Sequence, residues 1–109
     1  MKRTLLNIGL SPALKGFDYI VDCITAIKEH GRVKTMWLYT TVAKKHNTTH
    51  FRVERCIRHA IEVAFDRGDL KLLEEIFGYS YRAGKGRPTN TEFLYALAMY
   101  IDEKSVENG

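Results

Sequence analysis

The residues with the most informative chemistry lie between positions 49 and 67. Arg52, Arg55 and Arg58 recur at three-residue steps, and His59 follows the last of them. Apolar residues recur among them at steps of three and four, as on a helix with one buried face: Val53, Cys56, Ile57, Ala60, Ile61 and Ala64. The basic side chains therefore belong to the exposed face of a predicted helix.

An acidic residue, Glu54, lies among these arginines. The planar guanidinium of arginine matches the two acceptors on the major-groove edge of guanine, and a good bidentate pair is worth ~1–3 kcal/mol of discrimination. A carboxylate is repelled by phosphates, but it accepts a hydrogen bond from the amino group of cytosine or holds a neighbouring arginine in one rotamer. Arg52, Glu54 and Arg55 are therefore candidates for contacts with DNA bases.

Other basic and hydroxyl side chains are candidates for contacts with the DNA backbone. The hydroxyls of Thr48 and Thr49 precede the helix, whose N-terminus favours a phosphate. A later loop with Arg82, Lys85 and Arg87 contains no acidic residue and is predicted to lie over an adjacent phosphate or the minor groove. The full set of backbone candidates is Lys44, Lys45, Thr48, Thr49, His50, Arg58, His59 and Lys85.

Two helices joined by a very short link position these residues. The pattern predicts one helix over residues 35–46 and the next over residues 49–67, with the link around Asn47 and Thr48. This is the helix-turn-helix pattern, in which the second helix lies in the major groove and the first packs against its apolar side. The early residues of the second helix then meet base edges.

The N-terminal third of the sequence predicts one long helix. A short helical turn starts at Ser11 and Pro12 and is broken by Gly16. Apolar residues then recur at helical spacing over residues 17–30, and Gly31 ends that helix.

The C-terminal part predicts two further helices. One spans residues 69–77 with Gly78 as its stop, and an exposed loop follows over residues 79–88. Thr89 and Glu92 form a capping box at the start of the last helix. We therefore predict one compact, all-α domain over residues 1–109 that contains a helix-turn-helix, with flexible ends at about 1–7 and 105–109.

Composition agrees with a folded, DNA-binding protein. The 109 residues fit one domain, and 45% hydrophobic with 28% charged residues is typical of a globular protein. The formal net charge of +4 and the pI of about 9.1 suit a polyanionic partner. No apolar run is long enough to cross a bilayer and no signal peptide is recognisable, which predicts a cytoplasmic, nucleoid-associated protein. Cys23 and Cys56 are predicted to be buried thiols.

Other functions have weaker support in the sequence. A basic helix face is most often a solvated surface, and the helix-turn-helix pattern is what favours DNA here. Cys56 and His59 have a spacing suited to a metal ion, but no second pair of ligands is near in sequence. Gly84-Lys85-Gly86 lacks the glycine spacing and the trailing Ser or Thr of a phosphate-binding loop. No nucleophile, base and orienting group are recognisable, so no enzyme, cofactor or metal site is predicted.

Several of these segments resemble one known family. Asn47-Thr48-Thr49, Arg52-Val53-Glu54-Arg55 and the run from Ile57 to Ala64 closely resemble the C-terminal effector domain of the stage-zero sporulation protein A family, the response regulators that start endospore formation. The similarity extends over nearly the whole chain. Further matches are Ile8-Gly9, Lys15-Gly16, Ala43-Lys44-Lys45, Arg67-Gly68, Phe77-Gly78-Tyr79, Lys85, Pro88-Thr89-Asn90 and Glu92-Phe93.

The resemblance implies a six-helix domain that binds a short DNA box with a TGTCGAA-like core, commonly as a head-to-tail pair on tandem boxes. Carried over by position, Arg52, Glu54 and Arg55 are the residues that contact bases. The resemblance also implies a contact with an RNA polymerase sigma factor through residues 69–77.

The sequence departs from the family in two places near the predicted interface. His50 and Phe51 stand where members of the family usually carry small residues, so Phe51 is a further candidate for a base contact, with a thymine methyl group. The segment from Leu70 to Glu75 replaces a more serine-rich one. Phe51 also keeps open an alternative function, that of a protein-interaction module or antagonist of a full-length relative that has lost specific DNA binding.

The family also has an N-terminal receiver domain with a phosphoacceptor aspartate. This chain begins at Met1, shortly before the effector domain. It is therefore either an excised fragment or a standalone homologue without the phosphorylation switch, and we favour the standalone homologue.

Overall fold

Six α-helices form the computed structural model of the chain, which describes the backbone of residues 1–81 and 86–108 and the side chains of residues 1–78 and 86–103. No strand is present in these residues, and the predicted all-α, six-helix fold is confirmed. The helices are α1 (Lys2–Asn7), α2 (Lys15–His30), α3 (Thr35–Lys45), α4 (His50–Arg67), α5 (Leu70–Tyr81) and α6 (Asn90–Asn108).

The N-terminal ends of α4 and α6 follow from capping chemistry that the sequence predicts. Thr49 precedes α4, and its hydroxyl accepts a hydrogen bond from the backbone N–H of Arg52 at 3.2 Å. Before α6, the Thr89 N–H donates to the Glu92 carboxylate at 2.8 Å and the Glu92 N–H donates to the Thr89 hydroxyl at 3.1 Å. This reciprocal pair is the predicted capping box.

The structure differs from the sequence prediction near the N-terminus. Residues 2–7, expected to be a flexible end, form helix α1, and its Leu5 is fully buried. Ser11 accepts a hydrogen bond from the Ala13 N–H within a turn instead of beginning a helix. Gly16 does not break a helix either, because it lies buried in the first turn of α2.

The two C-terminal helices are longer than the sequence predicts. Helix α5 continues through Gly78 to Tyr81, so the predicted loop over 79–88 is wrong in its first three residues. Phe77, one residue before that glycine, stacks on Phe93 of α6 with ring centroids 4.8 Å apart and lies 5.7 Å from the ring of Phe65 on α4. Packing of this aromatic cluster holds α5 in place across the glycine. Helix α6 runs to Asn108, beyond the end expected near Lys104.

Helix α4 lies at the centre of the fold and packs against α2, α3 and α6. Its Val53, Ile57 and Ile61 are fully buried, as are Ala60 and Ala64, so the predicted apolar face is confirmed except at Cys56, which is only partly buried. At its end, a Cβ on Gly68 would lie 2.1 Å from the carbonyl oxygen of Ile8, and only glycine admits this close approach by the segment after α1. Packing on three helices and at Gly68 thus fixes the backbone of the central helix, and with it the direction in which its exposed face points.

Candidate nucleic-acid interface

A tight turn orders α3 and α4 into the predicted helix-turn-helix. Asn47 adopts a left-handed conformation with φ of 54°, which asparagine tolerates better than most residues. The Thr48 N–H donates to the carbonyl of Ala43 at 2.9 Å, closing the last turn of α3. Thr49 then caps α4. The first residues of α4 therefore have a fixed direction relative to α3.

The predicted base-contacting side chains lie together on the exposed face of α4. Arg52, Glu54 and Arg55 are all exposed, and they form no ion pair with any side chain that the structure describes. Phe51 is 67% exposed, the largest exposed fraction among the large hydrophobic residues whose side chains the structure describes. Its ring lies 4.1 Å from that of His50. Two guanidinium groups, a carboxylate and an aromatic ring thus face solvent within the first two turns of one rigid helix.

A groove of about 590 Å³ runs along one side of this face. Arg52, Arg55 and His59 line it from α4, and Leu14, Lys15 and Gly16 line it from the start of α2. Lys15 is a further basic residue at the site, and its position in the sequence does not predict this. No signal in the sequence joins it to α4, since the contact between the two helices is set by packing and not by spacing. Cys56, predicted to be buried, is only partly buried and also lines the groove.

The candidates for backbone contacts fall into two groups. Lys44 and His59 are exposed, Thr48 and His50 are partly exposed, and Thr49 is exposed while it caps α4. Arg58 is engaged within the protein, because its guanidinium donates to the carbonyl of Pro88 at 2.9 Å and lies 3.6 Å from the carboxylate of Glu62. Lys85 lies outside the described residues.

Lys45 is also engaged, in an ion cluster that joins α2 to the end of α3. Its ammonium lies 2.8 Å from one carboxylate oxygen of Asp22, and His46 Nε2 lies 2.5 Å from the other. Burial acts to raise the pKa of Asp22, but hydrogen bonds from Lys45 and His46, together with their charges, outweigh it and hold that pKa below its ordinary value of 3.8. The same hydrogen bond raises the pKa of Lys45. Asp22 thus holds the end of α3, just before the turn, against α2.

We expect Asp22→Asn to lower the melting temperature by a few degrees at neutral pH, since an amide cannot replace the charged pair. The Asp22 pKa is lower in the folded protein than in the unfolded chain. Its stabilisation is therefore present above the unfolded pKa, near 3.8, and is lost as the pH falls through the folded pKa. Thermal unfolding followed by circular dichroism should show that the difference in melting temperature between wild type and variant disappears below that pH.

Glu74→Gln is the matched control for this experiment, because Glu74 is exposed on α5 and has no ion pair within the described part of the chain. It removes the same charge without touching the cluster. The Asp22 charge does not stabilise the fold if the difference in melting temperature between wild type and Asp22→Asn stays constant at acidic pH. The same conclusion follows if Glu74→Gln lowers the melting temperature in the same way.

The described residues contain neither a membrane-spanning helix nor a cluster of metal ligands. No helix there combines the length and the apolar character that a bilayer crossing requires. No three side chains of the types His, Cys, Asp and Glu come together there as ligands for a metal ion.

The family comparison agrees with the architecture and with the exposed basic helix. The model of the family described as the C-terminal domain of sporulation initiation factor Spo0A matches residues 1–101, which is nearly the whole chain. That family comprises helical DNA-binding effector domains of sporulation regulation. A domain that matches over this length, with α4 presented by a helix-turn-helix, belongs to the family of Spo0A C-terminal DNA-binding domains.

Proposed function

We propose that the chain is a transcription regulator that recognises a specific sequence in duplex DNA through the major groove. Its α4 enters the groove, Arg52 and Arg55 bind guanine edges, and Glu54 accepts from a cytosine or orients a neighbouring arginine. One observation carries the proposal: these three side chains are exposed together at the start of a helix whose opposite face packs into the core. Charges that stabilised the fold itself would be paired within the protein, as Lys45 and Arg58 are.

The backbone contacts in this proposal come from residues around α4. Lys44, Thr48, Thr49, His50 and His59 lie beside the base-contacting residues in sequence, and all retain exposed surface. Lys45 and Arg58, which already have partners in the protein, would keep only part of their charge for phosphates. Lys85 remains a candidate from its sequence alone.

We further propose a TGTCGAA-like box as the target, bound by a head-to-tail pair on tandem boxes. Membership of the family supports both points. A contact with a sigma factor through residues 69–77 belongs to the same proposal. Leu70, at the start of α5, is 58% exposed, which suits an apolar contact with a protein partner.

Selection of bound duplexes from a random pool at near-physiological salt tests the proposal directly. We expect enrichment of one short box that resembles TGTCGAA, and a preference for two boxes in tandem. Enrichment of no sequence above the starting pool, with binding that depends only on salt, would leave a DNA-binding domain without sequence recognition.

Phe51 separates this function from the alternative of a protein-binding antagonist. Against a thymine methyl group, its ring would contribute to base preference, and Phe51→Ala should then reduce the preference for one thymine about fourfold, since burial of one methyl-sized group is worth ~0.8 kcal/mol. Competition binding with box variants measures this. Met99→Ala, which removes a 64% exposed side chain on α6, is the control.

The antagonist function predicts another outcome for the same variant. Phe51→Ala would leave DNA binding unchanged and would weaken binding to a full-length relative. That result would favour the protein-interaction module over the DNA-binding regulator.

A further inference from the structure

A single buried amide connects the first turn of α6 to both helices of the helix-turn-helix. Asn90 is 9% exposed, and its Nδ2 donates to the hydroxyl of Tyr39 on α3 at 3.1 Å and to the backbone carbonyl of Glu54 on α4 at 3.2 Å. Burial is the main cause that raises the pKa of Tyr39, so its hydroxyl remains protonated at neutral pH. The amide therefore joins two neutral acceptors that belong to different helices.

The Asn90 side chain is a polar group within a largely apolar core. Among the residues with described side chains, Asn90 is the one polar residue in the buried class, and its Oδ1 has no hydrogen-bond partner there. A buried acceptor without a partner lowers stability, and an apolar residue would avoid that loss. An apolar residue could not make the two hydrogen bonds that Asn90 donates, so the role of the amide lies in what those bonds hold in place.

The neighbouring contacts show that this region braces α4. Arg58 of α4 donates to the carbonyl of Pro88, just before α6. The hydroxyls of Thr35 on α3 and Thr91 on α6 lie 2.8 Å apart. Asn90 is thus the central member of a set of polar contacts that fasten the start of α6 across both helices. Its hydrogen bond to α4 is accepted by the backbone carbonyl of Glu54, which lies between Arg52 and Arg55 in the sequence.

We infer that Asn90 is a positioning residue for sequence recognition, which sets the second turn of α4 relative to α3 without touching DNA. This inference rests on the proposed function. Bidentate contacts with base edges require side chains placed within about 0.5 Å of their ideal geometry, so a small rotation of α4 weakens them. Contacts with phosphates depend mainly on charge and tolerate such a rotation. Loss of Asn90 should therefore reduce specificity more than it reduces affinity for DNA in general.

The test compares Asn90→Ala with wild type on the selected box and on a scrambled duplex, over a series of salt concentrations. We expect the ratio of the two affinities to fall roughly three- to tenfold, which is the effect of losing about one hydrogen bond to a base edge. The affinity for the scrambled duplex and the salt dependence should stay unchanged. Box variants at the positions contacted by Glu54 and Arg55 should show the greatest loss of preference.

Two further variants keep the result interpretable. Ile101→Val removes a methylene from a buried residue of α6, far along the helix from Asn90, and controls for a general loss of stability. Tyr39→Phe removes only one acceptor of the amide and should lower the same ratio by a smaller factor. It also provides the measurement if Asn90→Ala does not fold.

The outcomes separate this inference from the proposed function. If wild type prefers its box and Asn90→Ala or Tyr39→Phe retains the full ratio, or loses no more than Ile101→Val, Asn90 has only a structural role. If wild type itself shows no preference for any sequence, the proposed function fails first.

Discussion

Arg55→Ala is expected to cost ~1–3 kcal/mol of binding free energy on the specific box, about a 5- to 150-fold loss of affinity, and to relax the preference at one base pair. Arg55 lies in the second turn of α4, where a recognition helix meets base edges, and it is exposed. It has no ion pair among the side chains that the structure describes, so its removal should leave the fold intact. The loss should therefore appear in recognition and not in stability.

Titration of the wild type and the variant against the box, single-base variants of it and an unrelated duplex measures this effect. Lys44→Ala is the matched control, because Lys44 is exposed, whereas Lys45 is held by Asp22. Loss of a phosphate contact should weaken all duplexes alike and reduce the salt slope by about one. If Arg55→Ala and Lys44→Ala behaved in the same way on every duplex, Arg55 would be a backbone contact and base recognition would lie elsewhere.

The central helix was predictable from sequence because local and tertiary preferences agree there. The apolar stripe of α4 specifies which face is buried, Thr49 supplies the N-cap, and Gly68 marks the end. The same agreement made the capping box of Thr89 and Glu92 recognisable. Where the local signals for a helix agree with its packing, the sequence alone is sufficient to predict it.

The errors occur where packing overrides a local signal. Gly78 is a usual helix stop, yet α5 continues past it because the preceding Phe77 is held between Phe65 and Phe93. Residues 2–7 show too short a pattern to predict a helix, and α1 is fixed by burial of Leu5 against the core. Such contacts join parts of the chain that are distant in sequence, and periodicity within one segment does not contain them.

The candidate interface also has one part that the sequence predicts and another that only the fold shows. Arg52, Glu54 and Arg55 lie close together in sequence, so one helical pattern identified all three. The brace from Asn90 to Glu54 spans 36 positions and the ion pair from Lys45 to Asp22 spans 23, and neither has a signature in the sequence. The candidates for base contacts could thus be proposed from the sequence alone, but the contacts that orient them required the fold.

Gly16→Ala is the second variant with a large expected effect, and here helix propensity and packing predict opposite signs. Gly16 lies within α2, where alanine is favoured over glycine by roughly 1 kcal/mol in an exposed helix. However, α2 and α4 approach so closely at this position that an added Cβ would lie 2.2 Å from the carbonyl oxygen of Cys56 and 2.8 Å from the Cβ of Ala60. Overpacking of this kind costs typically ~1–3 kcal/mol, and a backbone obstacle places it at the upper end. We therefore expect net destabilisation of about 2 kcal/mol.

Urea unfolding of Gly16→Ala, Ala60→Gly and the double variant identifies the obstacle. The single Gly16→Ala variant should lower the midpoint without changing the slope, since the surface exposed on unfolding is nearly the same. If the carbonyl of Cys56 is the main obstacle, removal of the Ala60 side chain does not relieve it, and the two substitutions should be nearly additive. If the double variant instead regained the stability of wild type, the Ala60 side chain would be the main obstacle. A Gly16→Ala protein as stable as wild type would mean that α2 and α4 can separate without loss, and that the groove between Lys15 and α4 has no fixed width.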